Sequence, residues 1–305
     1  MKLLVTGGTG FIGGALCGVL EEAGHELILL SRTVRPQTGG RRRVIVWQPP
    51  APGPWERELD GADGVVHLAG ESVVAKRWTP SQKQRLAESR VKSTRAIVEA
   101  IGRAAHRPAV LVNASAVGYY GPHGDESLDE DAPPGSDFLA QLCQQWENAA
   151  RDAEGLGVRV VRLRTGIVLA RDGGALAKML PAFRLGLGGP VGTGRQWMSW
   201  IHRDDVVGVI RLALEDARMR GAVNVTAPTP VTMREFTATL GRVLHRPAIL
   251  PVPGPALTLL LGEMAGLLLT GQRAMPAKAQ ALGYAFRYAT LEAALSSEVT
   301  RCERS

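Results

Sequence analysis

Gly7, Gly10 and Gly13 stand three residues apart in the stretch Val5-Thr6-Gly7-Gly8-Thr9-Gly10-Phe11-Ile12-Gly13. That spacing suits one kind of chemistry, because glycines clear side chains from a turn and let backbone N–H groups reach a phosphate. A short, mostly apolar run, Lys2-Leu3-Leu4-Val5, precedes it, and an apolar-periodic segment ending near Glu22 follows. The pattern predicts strand, turn and helix. In that setting Gly7 permits the tight turn, Gly10 lets backbone approach a pyrophosphate, and Gly13 allows close packing of helix on strand. The phosphates of a dinucleotide would sit among Gly7, Thr9, Gly10, Phe11, Ile12 and Gly13, at a helix N-terminus that favours anions. A tight turn without a ligand is the plainer explanation, and the context favours the nucleotide.

Which nucleotide depends on the next strand. Glu26-Leu27-Ile28-Leu29-Leu30-Ser31 is a short apolar run after Gly24, read as the second strand. At its end, where an Asp or Glu would bind ribose hydroxyls, the chain has Ser31-Arg32-Thr33, with Arg35 close behind. An arginine there can pair bidentately with a 2′-phosphate, and no carboxylate repels it. Arg32 as a solvated loop residue is the alternative. Ser31 and Arg32 therefore point to NADP(H) over NAD.

These residues need a scaffold, and the rest of the chain predicts one. Further strands are expected at Val44–Trp47, Gly64–Ala69, Val110–Ser115 and Val158–Leu163, with a long helix from about Thr79 to Ala105. Such alternation predicts an α/β fold, a doubly wound parallel sheet of Rossmann type with helices on both faces. Ligands bind at the carboxyl ends of its strands. Gly7, Arg32, Ala69, Ser115 and Thr165 all fall at those ends, so five separated segments should converge on one crevice. We expect a nucleotide domain over 1–170, with 200–226 returning to it, and a small C-terminal α/β substrate lobe over 171–305.

Composition narrows the classes. The chain has 305 residues, 45% hydrophobic and 21% charged, with a net charge of +7, an ordinary globular balance. Its basic residues are dispersed apart from Arg41-Arg42-Arg43 in an expected loop, read as a solvated edge feature, and no nucleic-acid partner is expected. Cys17, Cys143 and Cys302 are far apart, which suits reduced thiols in a cytoplasmic setting. Neither the histidines nor the acidic loop Asp125–Asp131 has metal-ligand spacing, so no metal is proposed. No export signal precedes the first strand. Leu257–Leu269 is interrupted by Glu263 and too short to span a bilayer. A packed helix is preferred there, with membrane contact or a homodimer interface as the weaker alternatives.

The combined motifs resemble the extended short-chain dehydrogenase/reductases, the NAD-dependent epimerase/dehydratase family. The resemblance rests on Thr6–Gly13, His67-Leu68-Ala69-Gly70, Trp200-Ile201-His202-Arg203-Asp204-Asp205-Val206 and Gly221–Val225. More narrowly it is similar to an atypical subgroup, the YfcH-like epimerase family proteins. That likeness is carried by Arg77-Trp78-Thr79, Ser89-Arg90, Gly118-Tyr119-Tyr120-Gly121, Gly186–Pro190 and Gly271–Pro276. It implies NADP(H) binding, with Leu68, Ala69, Gly70 and Thr165 beside the cofactor and Asp204 or Asp205 as a helix cap. It also implies that Arg195, in a glycine-rich loop, meets the diphosphate of a sugar nucleotide.

Departures from the family pattern bear on mechanism. Members carry Tyr-x-x-x-Lys, whose tyrosine exchanges a proton with substrate while hydride moves at the nicotinamide. No tyrosine here has a lysine four residues on, and Asp137–Cys143, where the pair belongs, holds neither residue. Arg90 replaces an asparagine that normally faces the site, where it would bind cofactor phosphate or an acidic substrate, or else be a surface arginine. Ser115 and Tyr119 are the replacement candidates, one polarising a carbonyl and the other supplying a proton. Tyrosine's ordinary pKa, near 10, requires a neighbouring cation; Lys76, Lys83, Lys92 and Arg90 are candidates. Two functions follow as expectations. One is an NADP(H)-dependent oxidoreductase or epimerase-like enzyme acting on a small carbonyl or sugar-nucleotide-like substrate. The other is a catalytically silent NADP(H)-binding sensor.

Overall fold

The structure, a computed structural model, describes residues 1–33 and 41–300; Arg35 and Cys302 lie outside them. Seven strands form one sheet: β1 Lys2–Thr6, β2 Glu26–Ser31, β3 Arg42–Val46, β4 Gly64–His67, β5 Val110–Ala116, β6 Arg159–Thr165 and β7 Gly221–Val225. All pair in parallel, in the spatial order β7-β6-β5-β4-β1-β2-β3. The order reverses beside β1, which opens a crevice at the carboxyl ends of β1 and β4.

Alternation along the strands builds a core on each face. Leu3 and Val5 of β1 join Leu27 and Leu29 of β2 under helices α1 (Phe11–Glu22) and α5 (Arg203–Glu215). Leu4, Ile28, Val65, Leu111 and Val160 face the other way, toward α2 (Pro80–Arg103) and the end of α3 (Phe138–Arg151). Helix α2 starts where its sequence says it should: Pro80 is in the first turn, and the Thr79 hydroxyl accepts from the Gln82 N–H at 3.2 Å.

A third core gathers α4 (Gly174–Arg184), α6 (Met233–Val243) and α8 (Leu291–Thr300) around Phe183, Trp200 and Phe236. The tail is tied to α5 by buried polar contacts. Asp205, fully buried, accepts from the backbone N–H groups of Arg287 and Tyr288 and from the Tyr284 hydroxyl. His202 Nε2 lies 2.8 Å from Glu298 Oε1.

Three expectations are corrected. Arg42 and Arg43 belong to β3, an edge strand, where they pair with Glu21 and Glu58, so the triplet is an edge feature as expected but two of its three residues are in a strand and not a loop. The cap of α5 is neither Asp204 nor Asp205 but His202, whose Nδ1 accepts from the Asp204 N–H. Helix α7 (Gly254–Leu261) contributes no buried residue, and within Leu257–Leu269 only Ala265 is buried, so that run is not a packed core helix. Among the described residues no helix is long and apolar enough to cross a membrane.

Candidate active site

The turn after β1 is built by absence of side chains. Gly7 has φ +69°, and a Cβ there would lie 2.9 Å from the Leu68 carbonyl. A Cβ on Gly13 would sit 2.2 Å from Gly7 O. The Gly10 N–H donates to Gly7 O at 2.9 Å, which closes the turn. Gly10 caps α1 without a side chain, and the first turn carries no acidic residue. The backbone donors of Phe11, Ile12 and Gly13 are thus left at an uncapped helix end, suited to a phosphate. Thr9 is exposed beside them, and Ile12 packs on the sheet. The Phe11 ring lies against Gly173 and Gly174, with the Arg203 guanidinium 5.2 Å from its centre, joining α1 to the start of α4.

The opposite wall is Leu68-Ala69-Gly70. A chain of buried hydrogen bonds holds it. The Ala69 N–H donates to Thr6 Oγ1 at 3.1 Å, Thr6 Oγ1 lies 2.6 Å from His67 Nδ1, and His67 Nε2 lies 3.2 Å from Ser93 Oγ. Ser93 donates its own proton to a helix carbonyl. The consistent assignment is therefore a neutral imidazole protonated on Nε2, with Thr6 donating to Nδ1. Burial holds His67 down at about 3, so it stays uncharged. Arg90 lies beneath this wall, its guanidinium against Gly70. It is buried and donates to the carbonyls of Glu71 (2.8 Å) and Leu86 (3.2 Å), so it braces the turn and is not a surface arginine.

On the other side of β1, Ser31 Oγ accepts from the Thr33 N–H, and Arg32 is exposed just past β2. Thr165 ends β6 beside Ala116, its hydroxyl turned back to the Leu163 carbonyl.

At the end of β5 the structure assembles groups that sequence patterns did not connect. Ser115 donates to Glu147 Oε1 at 2.8 Å. Glu147, on α3, is almost fully buried and accepts from Arg164 Nε and Nη2 at 2.8 and 3.1 Å and from Arg162 Nη1 at 3.3 Å. Arg164 also lies over the Tyr119 ring, its guanidinium carbon 3.4 Å from the ring centre. Its Nη1 donates to the Tyr120 hydroxyl, which in turn donates to Asn224 Oδ1 at 2.7 Å. Burial pushes the Tyr120 phenol up to about 12, so it is a structural hydroxyl. Among the described residues nothing hydrogen-bonds the Tyr119 hydroxyl. The cation beside Tyr119 is thus Arg164. Lys83 and Lys92 are paired with Glu263 and Glu88, and Arg90 with its carbonyls.

Arg162, Arg164 and Glu147 were legible in one respect. Two arginines at period two inside a buried parallel strand require an internal counter-charge. Which acid answers them is a tertiary matter.

Below these groups, beyond Gly121, a cavity of about 520 Å³ is lined by His123, Asp125, Arg195, Trp197 and Thr270, among others. Trp197 Nε1 donates to Asp125 Oδ1 at 2.7 Å. No group of three His, Cys, Asp or Glu side chains among the described residues could hold a metal ion.

Residues 3–226 match the model of the NAD dependent epimerase/dehydratase family, and 252–298 match a domain of unknown function, DUF1731. The chain belongs to the NAD dependent epimerase/dehydratase family. Within it, the chain is 42% identical to epimerase family protein YfhF of Bacillus subtilis over 97% of each. A crystal structure of human epimerase family protein SDR39U1 with NADPH superposes with TM-score 0.87, at 37% identity over 98% of this chain and 99% of that one. A nucleoside-diphosphate sugar epimerase from Corynebacterium glutamicum superposes at 0.78, with 36% identity over 98% of this chain and 58% of that one.

Against the family's Tyr-x-x-x-Lys pattern, two residues one turn apart on α3 face the β5 end. Leu139 packs under Gly118, 3.4 Å from where its Cβ would be, and Cys143 is buried beside Ser115. Burial pushes the Cys143 thiol up to about 12, so it is an uncharged group. Leu139 has no titratable proton, and Cys143 is held in its neutral, protonated form.

Proposed function

We propose that the chain is an NADP(H)-dependent oxidoreductase or epimerase-like enzyme, acting on a small carbonyl or sugar-nucleotide-like substrate, with Tyr119 as its proton donor. The observation that carries this reading is the uncapped N-terminus of α1, stripped of side chains by Gly7, Gly10 and Gly13 and walled by Leu68-Ala69. A relative of 37% identity is crystallised with NADPH, which supports the cofactor. The residues present fit it. Donors of the α1 first turn would hold the pyrophosphate, and Arg32 would hold the 2′-phosphate. When bound, the nicotinamide supplies or accepts hydride.

The chain's own residues would do the rest. Arg164, fixed by Glu147, packs over the Tyr119 ring and holds it in place. Ser115 gives its proton to Glu147, so it positions this cluster and keeps only acceptor capacity toward a ligand. Arg195 and Trp197, at the 520 Å³ cavity, would receive the far end of a longer substrate. The sensor reading draws on one observation: Asp137–Cys143, where the family's pair belongs, holds neither tyrosine nor lysine.

Calorimetry on ligand-stripped protein tests the cofactor. We expect NADPH to bind at least tenfold more tightly than NADH, and Arg32→Ala to remove that preference. Equal loss for both cofactors would refute the phosphate role. Tight NADPH binding without oxidation by any member of a carbonyl and sugar-nucleotide panel would favour the sensor.

A further inference from the structure

We propose that residues 253–271 form a strap across the crevice, latched by the Lys83–Glu263 ion pair, and that the latch opens to admit the nicotinamide half of the cofactor. The gate rests on the NADP(H) reading of that crevice. Both ends of the strap stand on one patch, residues 190–197. Val252 bridges Val191, and its N–H donates to Pro190 O at 2.9 Å. On the return, Leu268 O accepts from Gln196 Nε2 at 2.7 Å, and Gly271 is pressed so closely on the Trp197 carbonyl that no Cβ would fit. Leu269 lies 3.5 Å from where a Cβ on Gly254 would be, so entry and exit are neighbours and make a neck.

The tip reaches a different part of the molecule. Glu263 accepts from Lys83 Nζ on α2 at 2.6 Å, and the Arg77 guanidinium lies 3.1 Å from where a Cβ on Gly262 would be. This end of α2 stands behind the crevice wall: Gln82 and Ser89 hold Glu71, the residue after Gly70. Lys83 also lies over Phe138, 4.9 Å from the ring centre, and the next residue, Leu139, packs under Gly118. At the other end the His123 N–H donates to Gly271 O at 2.9 Å. Tip and neck therefore stand at opposite ends of residues 118–123, which carry Tyr119. The cavity of about 520 Å³ has Leu269, Thr270 and Gly271 in its wall, so it lies against the returning limb.

Little holds the strap down. Of residues 254–270 only Ala265 is buried, and segments that bury so little open locally at small cost. The latch is an exposed pair, with the Glu263 side chain 54% exposed, and such pairs are weak. The strap can swing about its neck while the sheet and its cores stay folded. Closed, it keeps water from the Tyr119 side of the crevice, which strengthens electrostatic interactions there.

Stopped-flow fluorescence of NADPH on the full chain reads the gate. Glu263→Gln should raise association and dissociation rates together, by up to about fivefold, with the dissociation constant within about twofold. Glu263→Lys sets two like charges together and should raise both rates further. Joining Lys83 to Glu263 with a carbodiimide, verified by peptide mapping, should slow both at least about tenfold. Hydrogen exchange reads the strap without a ligand. Amides of residues 254–270 should exchange faster in both variants than in wild type, and those of β1 and β4 should not change. Wild type that binds no NADPH refutes the cofactor site and leaves exchange to decide the strap. Unchanged exchange in both variants overturns the strap, and unchanged NADPH rates in the variants and the joined protein overturn the gate.

Discussion

Tyr119 and Arg164 form the pair on which the chemistry would turn. The guanidinium is held on one side by the Glu147 carboxylate and lies on the phenol ring on the other. Tyr119→Phe removes only the hydroxyl and keeps that stacking. We expect it to lower turnover of any accepted substrate by at least about a hundredfold, with NADPH affinity in calorimetry within about twofold. Equal loss of binding would make Tyr119 a packing residue.

His67 offers a test at the same scale, in stability. Its folded-state value, about 3, lies below the ordinary 6.5. Between those values the unfolded chain binds a proton that the folded chain does not, so stability falls as pH drops from 6.5 toward 3. Equilibrium unfolding should show that slope. His67→Gln should flatten it while lowering stability at pH 7, because Thr6 and Ser93 lose part of their partnership.

At the scale of elements, the βα turn is the part that tolerates least. Gly13→Ala places a methyl 2.2 Å from Gly7 O, so α1 must lift off β1 and its N-terminal donors leave their positions. NADPH affinity should fall more than about tenfold, read by calorimetry. Gly14 is the control, with nothing within 4 Å of a Cβ. Gly14→Ala should preserve binding and raise stability by about 0.5–1 kcal/mol. Helix α3 gives the complementary lesson. Its sequence announced a missing Tyr and Lys, yet not that Glu147 on the same helix anchors Ser115, Arg162 and Arg164. A carboxylate in an amphipathic helix does not declare which distant strand it will face.

At the scale of the whole molecule, the sheet's helices and the C-terminal segments meet through side chains far apart in the chain. Phe11 lies on Gly173 and Gly174, and Asp205 gathers Tyr284, Arg287 and Tyr288. Asp205→Ala would leave the Arg287 and Tyr288 N–H groups without their acceptor, while the Tyr284 hydroxyl keeps the residue-205 carbonyl, a loss on the order of 3 kcal/mol. We expect faster proteolysis of the segment after Gly283, with NADPH binding retained because the turn after β1 is untouched. Peptide mapping of a limited digest reads the first, and calorimetry the second.

By itself the sequence determined the parallel sheet, the glycine turn at its first strand, the arginine after the second and the missing Tyr-x-x-x-Lys pair. All of these are local patterns, carried by periodicity and by residues within a turn of one another. Tertiary structure alone decided that Arg164 is the cation on Tyr119, that Ser115 serves Glu147, and that α7 turns its leucines outward. Those outcomes depend on which strands become neighbours and which surface area remains after the core is full, and a long-range contact leaves no period in the chain.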